Sequence, residues 1–168
     1  VSTEVNQTLE ITYRELYQKV NQMAATLQSL EVGKGDRVLI YLPMIADALI
    51  AMLACTRIGA IHSVVFGGFA SHNLAVRIED ATPKVIITSD AGMRNGKAVH
   101  YKPLIDKALA QADYEVAHVL VIYRDIDKKI TMQAGRDQFY HDVSAPFKDT
   151  IVPICWLESN EPSYLLYT

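Results

Sequence analysis

Hydrophobic positions along this chain fall into two alternating patterns. Leu16, Val20, Met23, Leu27 and Leu30 recur at spacings of four and three, which is the stripe of an amphipathic helix. Thr12, with Glu15 three positions on, supplies a capping box at its start, and Gly33 marks its end. Residues 37–42 (RVLIYL) are a continuous apolar, β-rich run, as expected of a strand covered on both faces. Pro43 stops it. Residues 45–58 are helical in pattern and apolar nearly all round, so this helix is expected to be buried on most sides, with Gly59 closing it. A second strand is expected at 60–66, then a Gly67-Gly68 turn, then a helix capped by Ser71 and running to residue 80.

The same order continues. Pro83 precedes a third strand at 85–88, a loop is expected at 89–100, a helix at 103–112 with Pro103 near its first turn, and a fourth strand at 116–123. Beyond that the pattern weakens. Residues 124–137 are polar and suggest a loop or hairpin, 138–143 a short helix, 151–156 a short apolar segment and 163–168 the start of another strand. Strands alternating with helices predict an α/β fold with a mostly parallel sheet flanked by helices and right-handed crossovers. Ligands of such sheets sit beyond the carboxyl ends of the strands. Those ends are predicted at Pro43-Met44, at Phe66-Gly67-Gly68-Phe69 and in the loop after residue 88.

Bulk properties narrow the function classes. The chain has 168 residues, half of them hydrophobic and 21% charged, a globular composition long enough for one domain that buries roughly 70% of its unfolded surface. A net charge of -3 gives no electrostatic reason to expect nucleic acid, whose backbone demands clustered Lys and Arg. No apolar run approaches the roughly 20 residues that span a bilayer, and residues 1–7 carry no secretory pattern. Cys55 and Cys155 are expected to be buried free thiols, which fits a reducing, cytoplasmic setting.

Two motifs carry candidate chemistry. Gly67-Gly68 follows a strand, where missing side chains let a ligand approach the backbone; on these residues alone an ordinary turn is the first reading. Arg94-Asn95-Gly96-Lys97 places two cations around a glycine beyond a strand end. Arg grips phosphate bidentately and Lys supplies a point charge, although a solvated basic loop fits the same residues. Arg57, Arg77 and Asp80 are explained by structural ion pairs or helix-end charges. The five histidines lack metal-ligand spacing, and no metal site is expected. No G-x-x-x-x-G-K-[ST] loop, G-x-G-x-x-G fingerprint or nucleophile elbow is present.

The words GDRVLIYLPMIADA, MLACTRIGAIHSVVFGGFASHNLAVRIEDATPKVIITSDAG and WLESNEPSYLLYT resemble the short-chain branch of the AMP-forming acyl-CoA ligases, and are nearer to its propionate-activating than to its acetate-activating members. The resemblance covers essentially the whole chain and is weakest over 125–150. It implies ATP-dependent activation of a small carboxylate to an acyl-adenylate with release of pyrophosphate, followed by transfer to CoA, with Mg²⁺ accompanying ATP. It further implies that Arg94, Asn95, Gly96 and Lys97 hold phosphates of the CoA nucleotide, and that Phe66, Gly67 and Gly68 lie along the path of the pantetheine arm. Family members often carry a small residue where this chain has Asn95.

The family's ATP phosphate loop, acyl pocket and C-terminal domain with its catalytic Lys have no counterpart in residues 1–168. The chain is therefore expected to be the N-terminal part of a longer enzyme, with no catalytic residue of its own and no turnover of ATP in isolation. A free-standing CoA- or nucleotide-binding module is the alternative. A ligand-free interaction piece, self-associating through an exposed edge strand near 164–168, is the third reading. Nothing in the sequence bears on oligomeric state.

Overall fold

A computed structural model describes residues 8–167. The signal reading on 1–7 and the strand end at Thr168 lie outside the described residues. Helix α1 (Tyr13–Ser29) begins with the expected capping box: the Glu15 amide donates to Thr12 Oγ1 at 3.3 Å and the Thr12 amide to Glu15 Oε2 at 2.7 Å. Its stripe of Val20, Met23, Leu27 and Leu30 is buried. Strand β1 (Arg37–Tyr41) leads to α2 (Ala46–Ile58) and β2 (Ile61–Val64), then to α3 (Ser71–Ala81) and β3 (Val85–Ser89). A hairpin follows, β4 (Ala91–Arg94) with β5 (Lys97–His100), then α4 (Tyr101–Leu109), β6 (His118–Ile122), β7 (Asp137–Phe139), α5 (Tyr140–Ser144), a 3-10 turn (Ala145–Phe147) and β8 (Tyr164–Leu165).

Six strands form one parallel sheet in the order β7-β6-β3-β1-β2-β8. Alternation along β1 divides the core. Val38 and Ile40 pack with α1 and α2, while Leu39 and Tyr41 pack with α3 and α4. This is why RVLIYL reads as uninterrupted apolar sequence: both faces of the strand are covered. After β1 the chain moves outward to β2, whereas after β3 it moves the other way to β6. The adjacent carboxyl ends of β1 and β3 are thus a topological switch point, where ligands of open α/β sheets bind.

Several expectations are corrected. Residues 89–100 are not a loop but a hairpin plus its lead-in, with Arg94 paired to Lys97 across a two-residue turn. Asn95 and Gly96 hold φ of 51° and 73°, the paired left-handed conformation that Asn-Gly adopts in tight hairpins. Ser71 is the first residue of α3 rather than its cap; Ala70 occupies that position with no side-chain bond. Helix α2 is less buried than its composition suggests, since Leu49 and Leu53 are exposed. Helix α4 starts two residues before Pro103 and ends at Leu109. Strand β7, whose Asp137–Phe139 run is too short and polar to announce itself, pairs parallel with β6. Cys55 is buried, its thiol pushed up to about 12 by burial, but Cys155 is only partly covered.

Arg57, Arg77 and Asp80 are structural; Arg57 is a charge in the last turn of α2, as expected, but among the described residues none of the three is held by an ion pair. The Arg57 guanidinium donates to the Val152 carbonyl at 2.8 Å and stands over the Tyr17 ring. Arg77 stands over the Phe69 and Tyr167 rings, and Asp80 accepts the Tyr167 hydroxyl at 2.6 Å.

Candidate functional site

Parallel strands put the segments after β1, β2, β3 and β6 along one edge of the sheet, and both sequence motifs lie there. The hairpin carries Arg94 and Lys97 as directly paired residues, so their side chains leave the same face of the ribbon, roughly 5 Å apart at Cβ. Like charges so placed repel. Both residues are exposed, and among the described residues neither has a carboxylate partner. Two facing cations without a counter-charge are an arrangement suited to an external anion.

The β2 turn meets this hairpin directly. The Arg94 guanidinium stands 5.1 Å from the centroid of the Phe66 ring, a cation–π contact. Gly68 lies against the same guanidinium: a Cβ added there would collide with Arg94 Nη1 and approach Phe66 Cε1 to 2.7 Å. Gly67 has a different neighbour, since a Cβ there would come within 2.8 Å of Tyr101 Cζ and collide with the phenol oxygen. The sequence motifs Phe66-Gly67-Gly68 and Arg94-Asn95-Gly96-Lys97 therefore form one surface. Asn95 and Gly96 shape the turn, and the two cations and the exposed Phe66 ring face outward.

Two buried tyrosines brace the surface from below. Tyr41 and Tyr101 rings pack 4.8 Å apart, and the Tyr41 hydroxyl donates to the Phe69 carbonyl at 3.2 Å. Burial pushes the Tyr41 phenol above its ordinary value, so it stays a neutral donor. A third brace is Asp90, which sequence reading did not single out. Its fully buried carboxylate accepts the backbone amides of Arg124 at 3.0 Å, Ile126 at 2.8 Å and Asp127 at 3.1 Å. Asp127 in turn pairs with Nδ1 of His100, the last residue of the hairpin, at 2.5 Å. An Asp just after a strand is a known turn former, but its partners lie 34 to 37 residues away, beyond any local signal.

Two other concavities are weaker candidates. A groove of ≈ 490 Å³ between α1, α2 and residues 154–157 is lined by Tyr13, Tyr17, Leu53, Ile154 and Leu157. It lacks the few convergent polar groups that orient ligands, because Arg57 there is already engaged. A cleft of ≈ 450 Å³ holds Lys102, Asp106 and Arg136, but its charges satisfy one another. Lys102 Nζ meets Asp106 at 2.6 Å and Asp137 at 2.8 Å, and Arg136 meets the same two carboxylates at 3.0 and 2.6 Å. That cluster clamps α4 to β7 and leaves no charge for a ligand.

The comparisons agree with the fold. A family model described as AMP-binding enzyme matches residues 3–168. The chain is 50% identical over its whole length to a propionate--CoA ligase of Escherichia coli (strain K12), covering 27% of that protein, and 51% identical to a propionate--CoA ligase of Salmonella typhimurium, again covering 27%. It is 46% identical over 158 residues to an acetyl-coenzyme A synthetase of Thiobacillus denitrificans, covering 94% of this chain and 24% of that protein. The chain thus spans about a quarter of the length of these relatives. With the family model matched across nearly every residue and the expected parallel sheet in place, the chain belongs to the AMP-binding enzyme family.

Proposed function

We propose that this chain is the N-terminal segment of an AMP-forming short-chain acyl-CoA ligase acting on propionate, and that its strand-end surface binds the CoA nucleotide. The observation that carries the reading is the convergence of Arg94 with Phe66 and Gly68 beside an unpartnered Lys97. An anion arriving there meets two exposed cations on one face of a tight turn, each charge-assisted contact contributing about 1.5–3 kcal/mol. The bare backbone at Gly68 lets the Arg94 guanidinium and the Phe66 ring close onto it, and a thin, extended group such as the pantetheine arm would run past the exposed face they form. The choice of propionate over acetate rests on the higher identity to the two propionate--CoA ligases.

In this reading ATP and Mg²⁺ are handled outside residues 1–168, and the contribution of this chain is binding and orientation of CoA. On the same reading the enzyme works in the cytoplasm, a reducing setting that suits its two free cysteines. The test is to exchange this chain for the matching segment of the E. coli relative. The chimera is expected to release pyrophosphate and form propionyl-CoA from propionate, ATP and CoA, whereas the isolated chain releases none. A soluble, folded chimera that makes no propionyl-CoA, or steady turnover by the isolated chain, would overturn the assignment.

A further inference from the structure

The contacts of Arg94 do not end at Phe66. Phe66 meets Phe69 edge to face with centroids 6.1 Å apart. The Arg77 guanidinium stands over the Phe69 ring at 4.6 Å and over the Tyr167 ring at 4.9 Å. The ladder closes on Asp80, which accepts the Tyr167 hydroxyl at 2.6 Å. Cations and aromatic rings thus form a single stack from the β4–β5 hairpin, across the turn after β2 and the outer side of α3, to the segment after β8.

Each contact orients the next. A guanidinium prefers the face of an aromatic ring, and edge-to-face packing fixes the angle between two rings. Arg77 is itself held, since its Nη1 donates to the Asn73 carbonyl one turn back in α3 at 2.9 Å. Phe69 is pinned through its backbone by Tyr41 and its half-buried ring leans on the core beneath, so Arg77 is the contact that holds the ring from its cationic side. Phe66 is 59% exposed and has little else to fix its ring than Phe69 and Arg94.

We propose that Arg77 is a positioning residue for the anion-binding surface. Through Phe69 it sets the plane of Phe66 and thereby the place of the Arg94 guanidinium, and it couples that place to the order of the chain at Tyr167. The proposal rests on the reading that Arg94 and Lys97 bind CoA, and it deepens that reading by adding a residue that touches no ligand.

The test uses the 168-residue chain with Arg77→Met, Arg77→Lys, Phe69→Leu and Tyr167→Leu. In ligand-free NMR spectra the Arg94 Nε–Hε resonance, which lies in the Phe66 ring current, is expected to shift in Arg77→Met, Phe69→Leu and Tyr167→Leu and to return toward its wild-type position in Arg77→Lys. In calorimetric titrations with CoA, Arg77→Met is expected to weaken binding about two- to fivefold, the size of one exposed cation–π contact, and to add no further loss in an Arg94→Ala background. An unmoved Arg94 resonance in a folded Arg77→Met chain would overturn the ladder, as would losses that simply add in the double variant. If the wild-type chain binds no CoA, the CoA-binding reading fails for the isolated chain, while the resonance experiment still decides the ladder.

Discussion

The Arg94 guanidinium stands over the Phe66 ring at 5.1 Å from its centroid, with Gly68 packed beneath its Nη1. This contact joins two motifs separated by more than twenty residues into one surface, and it makes the two neighbouring glycines unequal in their consequences.

Gly68→Ala should displace Arg94, the mobile end of an exposed side chain, and leave the fold intact. CoA affinity is expected to fall about tenfold, with thermal stability within about 0.5 kcal/mol of wild type, as for surface changes generally. Gly67→Ala should do the reverse. Its new methyl meets the Tyr101 phenol, which is buried against Tyr41, so overpacking is expected to cost about 1–3 kcal/mol. Paired calorimetric titration and urea denaturation of the two variants separate these outcomes.

The hairpin turn gives a second prediction. Gly96 holds φ of 73° with open space around its Cα, so Gly96→Ala is penalised for its backbone alone, by about 1–2 kcal/mol. Amide hydrogen exchange should accelerate over β4 and β5 and stay unchanged in β1 and β3. Equal protection in wild type and variant would contradict the left-handed turn.

Asp90 should matter more than its distance from the hairpin tip suggests. Asp90→Ala removes the acceptor of three backbone amides in a buried site, leaving those donors unsatisfied at about 1–3 kcal/mol each when they stay buried. A combined loss of at least about 2 kcal/mol in chemical denaturation is expected, with exchange rates rising first over residues 124–127 and at the hairpin base.

The Lys102–Asp137 clamp gives stability a pH dependence of definite sign. Burial pushes the Asp137 carboxyl up, but hydrogen bonds from Arg136 and Lys102 outweigh burial and hold it below the ordinary carboxylate range. A lowered folded value means that the stabilisation is complete above the unfolded carboxylate range, near pH 4, and is lost as pH falls through the folded value. Lys102→Met should therefore cost about 1.5–3 kcal/mol at pH 7, because the buried Asp137 carboxylate loses one of its two cations while Arg136 stays in place. The difference from wild type should shrink in denaturation curves taken below about pH 4.

Much of this architecture was legible in the sequence because it depends on local pattern. The α1 capping box, the doubly covered β1 and the Gly59 stop each follow from residues within one turn or strand. The placement of Phe66, Gly67, Gly68, Arg94 and Lys97 at strand ends was legible for the same reason, since parallel order sends those ends to one edge. The hairpin at 91–100 was also signalled, by Asn95-Gly96, but that turn lies between short strands with little apolar alternation. Asp90, Arg77 and the Lys102 cluster were not legible. Their partners lie tens of residues away, and a charged side chain announces nothing about which distant backbone or ring it will meet. Arg77, expected in an ion pair or as a helix-end charge, makes ring contacts instead because Phe69 and Tyr167 reach it from other elements.

The central claim is that Arg94 and Lys97 hold CoA while ATP chemistry proceeds elsewhere, and the most direct measurement separates those half-reactions. In the chimera with the E. coli relative, the Arg94→Ala/Lys97→Ala variant would be compared with the unmodified chimera. Pyrophosphate release from propionate and ATP, measured without CoA and with hydroxylamine trapping the adenylate, should be unchanged. The KM for CoA in propionyl-CoA formation should rise at least about tenfold, the effect of losing one charge-assisted phosphate contact. An unchanged KM for CoA, or an equal loss in both half-reactions, would contradict the account.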